Sequence, residues 1–126
     1  MEKGLKILIV ILALLIIVLG LKTMIDPTSM IEKWGMDPIG NTGLNSLRSM
    51  FPGILLGGGA MMITGVWKRD TTWFLATALM MAIVAFGRLL SFVLDGFDSS
   101  SVPPTVYEIV VVFLMIFAHK KFRDSK

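Results

Sequence analysis

Residues 7–21 hold only isoleucine, leucine, valine, one alanine and one glycine, and the run is bracketed by Lys6 and Lys22. No face of a helix built from it is polar, so it is not a surface helix of a water-soluble domain. Extended to its flanking lysines it is long enough to cross the hydrocarbon of a bilayer, with the ammonium groups reaching the headgroups from both ends. Nothing resembling a small-x-small cleavage site follows Leu21, so the run reads as a retained span rather than a signal peptide. Three further apolar runs follow. Within lipid every backbone N–H and C=O must be bonded inside the chain, which leaves helices as the means of crossing. The fold class expected is therefore all-α, an integral membrane four-helix bundle running up-down-up-down. The spans fall at about 5–25, 46–67, 71–95 and 103–121 in a single domain. Composition agrees: 55% apolar residues in 126 and a mean hydropathy of +0.79 exceed what a soluble core of this size needs.

The connections are legible from turn chemistry. Asp26-Pro27, then residues 28–34 and Gly35, predict a short helix with Asp26 as N-cap, proline in the first turn and a glycine stop. After a span such a helix is expected in the membrane interface, with Trp34 at headgroup depth, covering the end of the bundle. Asp37-Pro38, Gly40-Asn41 and Gly43 predict turns. Residues 67–73, tryptophan at each end and Lys68-Arg69 near the centre, make a tight antiparallel connection at an interface. Pro103-Pro104 stand near the start of the last run, where proline is tolerated.

The second run is rich in small residues. Ser49, Gly53, Gly57, Ala60 and Thr64 recur at spacings of three or four, which predicts a helix face closely packed on another helix of the same chain. Pro52 removes the helical partner of the Arg48 carbonyl and leaves an acceptor beside a cation.

Charges sort by side. In an even-span topology, Lys3, Lys6, Lys68, Arg69, Lys120, Lys121, Arg123 and Lys126 share one face of the membrane. The other face carries Lys22, Lys33, Arg48 and the embedded Arg88, along with Asp26, Glu32, Asp37, Asp95, Asp98 and Glu108. The positive-inside rule then puts both termini in the cytoplasm, in a multi-pass protein of the bacterial inner membrane. The same folding brings Arg48, Arg88, Asp95 and Glu108, from three helices, to the outer end of the bundle. Arg88, Ser91 and Asp95 share one face of the third helix. At ~1.5 Å of rise per residue Arg88 lies roughly 10 Å deeper than Asp95, inside the hydrocarbon. An arginine at mid-span costs about 2.5–3.5 kcal/mol on the insertion scale, which calls for a carboxylate partner. Glu108, about one turn inside the fourth run, is the partner expected, in a bidentate pair that holds the two helices in register.

The segments LNSLRSMFPGILLGGG, AFGRLLSFVLDG and YEIVVVFL carry a family likeness. Through Asn45, Arg48, Gly87, Arg88, Ser91, Asp95, Gly96 and Glu108 the chain resembles the bacterial membrane family catalogued as domain of unknown function 4345. The likeness runs over nearly the whole chain. It implies a small four-span membrane protein and carries no assigned activity.

Function classes narrow by what is missing. Without cysteine, and with His119 as its one histidine, the chain offers no thiolate site, haem or multi-histidine metal centre, so no cofactor and no metal are expected. Basic residues bracket apolar runs instead of alternating with aromatics, which argues against nucleic acid. No nucleophile–base pair is visible, so no catalytic residue is named and an enzyme is the weakest reading. Two readings stay open for the polar residues Arg48, Arg88, Ser91, Asp95 and Glu108. In one they form an ion network that fixes the bundle of an accessory or structural membrane subunit. In the other, an outward-facing pocket near Arg88 binds a small anionic or carbonyl-bearing lipophile, such as a lipid headgroup, quinone or small acid. The partners expected are membrane lipids, together with a second copy or a larger membrane complex.

Overall fold

A computed structural model describes residues 2–124, which among themselves are all-α. Helix α1 (Glu2–Ile25) leads through a 3₁₀ turn (Pro27–Met30) into the single turn α2 (Ile31–Trp34). Helices α3 (Gly40–Lys68) and α4 (Thr72–Leu94) follow, then a second 3₁₀ turn (Ser99–Ser101) and α5 (Val102–Asp124). Four stretches, Lys3–Ile25, Gly40–Lys68, Thr72–Leu94 and Ser99–Asp124, are long and apolar enough to cross a membrane. The chain is a multi-pass membrane protein. It forms two compact units, Lys3–Ile63 and Thr64–Lys126.

In the first unit α1 buries Ile9, Ala13, Ile16, Gly20 and Thr23, a seven-residue repeat of spacings four and three that keeps one seam on one side of the helix. Its other faces carry exposed leucine, isoleucine and valine, as at Leu15 and Val18. Without a hydrophobic force between helices in lipid, their contact rests on close van der Waals approach, which glycine permits. A Cβ on Gly59 of α3 would lie 2.9 Å from the Ala13 carbonyl oxygen, and one on Gly20 of α1 would lie 2.9 Å from Leu56 Cγ. These two glycines set the spacing of α1 and α3. The predicted stripe does not: nothing lies within 4 Å of a Cβ added at Gly53 or Gly57, and Ser49, Gly53 and Ala60 are exposed. The face that meets α1 is turned away from the stripe because the large Ile17 side chain needs the recess at Gly59.

The connection after α1 departs from a simple capped helix. The Asp26 carboxylate accepts from Thr28 Oγ1 at 3.1 Å, and no side-chain bond reaches a backbone N–H of the following turn. The first turn is accordingly 3₁₀, and α2 ends where Gly35 adopts φ +63°. Trp34 folds back: its Nε1–H donates to Thr23 Oγ1 at 3.2 Å, and its ring lies 4.5 Å, centroid to centroid, from Phe51 of α3. Helix α3 starts at Gly40, inside the segment where turns were predicted. Gly43, whose N–H donates to the Ile39 carbonyl at 3.0 Å, packs where a Cβ would stand 2.9 Å from the Pro38 backbone. The helix continues through the buried Pro52.

In the second unit α3 closes at Lys68, Arg69 takes φ +55°, and the Asp70 side chain accepts from the Thr72 N–H at 3.1 Å to start α4. Gly65 admits the Phe74 ring, whose Cε1 would be 2.7 Å from an added Cβ. Helices α4 and α5 pack antiparallel along Phe74, Thr77, Ala78, Met81 and Ala85 on one side and Thr105, Glu108, Val111, Met115, Ala118 and Phe122 on the other. The rings of Phe74 and Phe122 close one end at 5.9 Å.

Candidate functional site

The opposite end of the α4–α5 pair holds the polar residues. Helix α4 stops at Asp95, whose N–H still donates to the Ser91 carbonyl at 2.7 Å, and Gly96 at φ +102° turns the chain out of the helix. Asp98 then organises the return. Its Oδ1 accepts from the Ser100 N–H at 3.2 Å and from Ser100 Oγ at 2.8 Å, and its Oδ2 accepts from Ser101 Oγ at 2.7 Å. Aspartate before a run of serines is a capping signature, and here it starts the turn that leads into α5. The hydrogen bond from the Ser101 hydroxyl does most to hold the Asp98 carboxyl below its usual pKa, followed by those from the Ser100 side chain and backbone.

This return sets Arg88, near the end of α4, opposite Glu108, near the start of α5. The Arg88 Nε–H donates to both Glu108 oxygens, at 2.9 Å to Oε2. The Glu108 side chain is 7% exposed and that of Arg88 27%. A fork-to-fork pair was expected. The structure has the secondary nitrogen straddle the carboxylate instead, and Nη1 and Nη2 have no hydrogen-bond partner among the described residues. The carboxylate, buried in the α4–α5 seam, thus meets the nitrogen nearest the arginine stem, and the outer end of the guanidinium extends past it.

Beside the pair lies a hollow of about 280 Å³. Its polar wall is Arg88, Ser91, Asp98 and Ser101, with Val84 and Phe92 as its apolar side. Ser91 Oγ–H donates to Asp95 Oδ2 at 2.9 Å, which ties two of the predicted residues together along one helix face.

Arg48 does different work. Its Nη1 donates to the Met24 and Ile25 carbonyl oxygens at 2.8 and 2.9 Å. These are among the last carbonyls of α1, which have no partner further along the helix. A cation there also opposes the negative end of the helix dipole. Sequence reasoning grouped Arg48 with the carboxylates and missed this contact with the end of α1, and it named Asp98 only among the acidic residues of one membrane face. The Asp-Ser-Ser-Ser pattern was the available signal for the latter. Arg48 had none, because α1 and α3 meet only in the fold.

The family model described as "Domain of unknown function (DUF4345)" matches residues 4–119. No curated protein and no solved structure matches the chain.

Proposed function

The chain belongs to the DUF4345 family, and from that premise we propose that it is an accessory or structural membrane subunit in which the Arg88–Glu108 pair fixes α4 on α5. The observation that carries this reading is a nearly buried carboxylate with both oxygens bonded to one nitrogen of the neighbouring helix. A paired charge in an apolar seam allows one register of the two helices, since sliding by a turn would leave a charge alone. The test is a substitution cycle: Arg88→Met with Glu108→Leu should keep folded protein in detergent better than either change alone. Equal loss in all three variants would overturn the structural reading.

The same reading places the four apolar helices in one bundle in the inner membrane of a bacterium. It puts the termini and the Lys68-Arg69 turn in the cytoplasm, on the strength of the basic residues at those positions. The chain has no cysteine, so a single cysteine introduced at the exposed residue 4, 69, 99 or 123 reports its side by labelling with an impermeant thiol reagent. Labelling of position 99 from outside the cell and of position 69 only after lysis is the expected result.

A second reading is favoured by a separate observation, the hollow lined by Arg88, whose Nη groups have no hydrogen-bond partner among the described residues. In it the protein binds a small lipophile through an acceptor oxygen. Retention of a native lipid by the wild type, lost in the folded Arg88→Met/Glu108→Leu variant, would support it.

A further inference from the structure

The chemistry of the hollow names the class of ligand more closely than its arginine does alone. Arg88 is already neutralised by Glu108, so it offers a bare anion donors but little net attraction. The other charges at this end are acidic. Asp95 and Asp98 form no ion pair among the described residues, so the α4–α5 end carries a surplus of negative charge.

The hydroxyls point the same way. Ser91 gives its hydrogen to Asp95 and Ser101 gives its hydrogen to Asp98. What both oxygens leave for the hollow are lone pairs. Of the lone-pair directions of the Asp98 carboxylate, three are taken by Ser100 and Ser101, and a further one on Oδ2 is open. One side of the hollow is thus a set of acceptors around a negative charge, and the other is the guanidinium with its two NH2 groups unspent. A free phosphate or carboxylate would satisfy the second and be repelled by the first. A cation without acceptors would leave the guanidinium unused.

We propose that the hollow binds a group in which a primary ammonium lies a few bonds from a phosphate or carbonyl oxygen, the ammonium toward Asp98, Ser91 and Ser101 and the oxygen toward Arg88. This rests on the binding reading above and narrows it. The chemistry is shared by an ethanolamine phospholipid headgroup and by a soluble phosphoethanolamine. The apolar wall of Val84 and Phe92 suits the lipid.

The experiment is native mass spectrometry of the full chain released from detergent with equal amounts of phosphatidylethanolamine, phosphatidylglycerol and phosphatidylcholine. Titration with soluble phosphoethanolamine and with inorganic phosphate completes it. Phosphatidylethanolamine should be retained about tenfold better than either other lipid, the factor expected of one charge-assisted hydrogen bond. Asp98→Asn keeps an oxygen to cap the turn and removes the charge, and it should erase that preference without weakening phosphatidylglycerol. The folded Arg88→Met/Glu108→Leu variant should lose retention of phosphatidylethanolamine as well. Binding of soluble phosphoethanolamine but not phosphate would support the same chemistry with a soluble source. Equal retention of phosphatidylglycerol or phosphatidylcholine would overturn the ammonium assignment and leave the binding reading standing. Retention of no lipid and no titration with either solute would overturn both.

Discussion

Arg88 reaches Glu108 through its Nε alone, which bonds both carboxylate oxygens and leaves Nη1 and Nη2 of the same guanidinium without a protein partner among the described residues. One side chain therefore locks two helices, keeps donors to spare and lines the hollow beside the pair. Breaking a buried pair leaves a charge uncompensated and costs about 3–5 kcal/mol. Arg88 keeps some access to its surroundings, so Arg88→Met or Glu108→Leu alone should cost about 3 kcal/mol, the lower end of that range. The double variant should fall within about 1 kcal/mol of the wild type, because packed apolar side chains replace a buried pair almost neutrally. Unfolding in mixed micelles, followed by circular dichroism, measures all three.

Glycines 57 and 59 are two residues apart on α3 and should respond oppositely to alanine. At Gly59 an added methyl would press on the Ala13 carbonyl and the Ile17 side chain. Overpacking of this kind costs about 1–3 kcal/mol. At Gly57 nothing stands within 4 Å, and alanine should be neutral or stabilising by up to about 1 kcal/mol through its better helix propensity. Melting temperatures of the two variants decide the matter, and equal destabilisation would refute the α1–α3 contact described here.

Arg48→Gln should lower stability by about 1 kcal/mol, the scale of one net hydrogen bond together with the loss of a cation at a helix C-terminus. Arg48 is exposed, so solvent or headgroups take over part of its work and a larger loss is not expected. Arg48→Lys, which keeps the charge on a side chain that ends one bond short of Nη1, should recover about half. Thermal unfolding of the pair against wild type provides the measurement.

Acid should loosen the turn before α5. The Ser101 hydroxyl and the Ser100 side chain and backbone hold the Asp98 carboxyl below its ordinary 3.8. Its contribution to folding is therefore complete above that value, begins to fall as the pH drops through it, and is gone below the folded pKa. The Ser100 amide signal in NMR should titrate in that acid window and stay flat above it. In Asp98→Ala the titration should be absent.

The all-α class, the four apolar runs and their breaks at Asp26-Pro27, Lys68-Arg69 and Asp95-Gly96 follow from local chemistry, because lipid leaves a chain few ways to satisfy its backbone. That Arg88 calls for a counter-charge follows from the same rule. Tertiary structure decided what depends on which atoms meet. Gly59 and Gly20, not the spaced stripe through Gly53 and Gly57, carry the α1–α3 contact, since any small residue advertises closeness and only the partner's side chains select the face. Arg48 serves the carbonyls of α1, more than twenty residues earlier, which no spacing could announce. The hollow exists because the Asp98 turn brings Ser101 of the return across from Arg88 and Ser91 of α4. Periodicity puts Arg88, Ser91 and Asp95 on one face of α4, and the orientation of hydrogen-bond donors within that face is settled by packing.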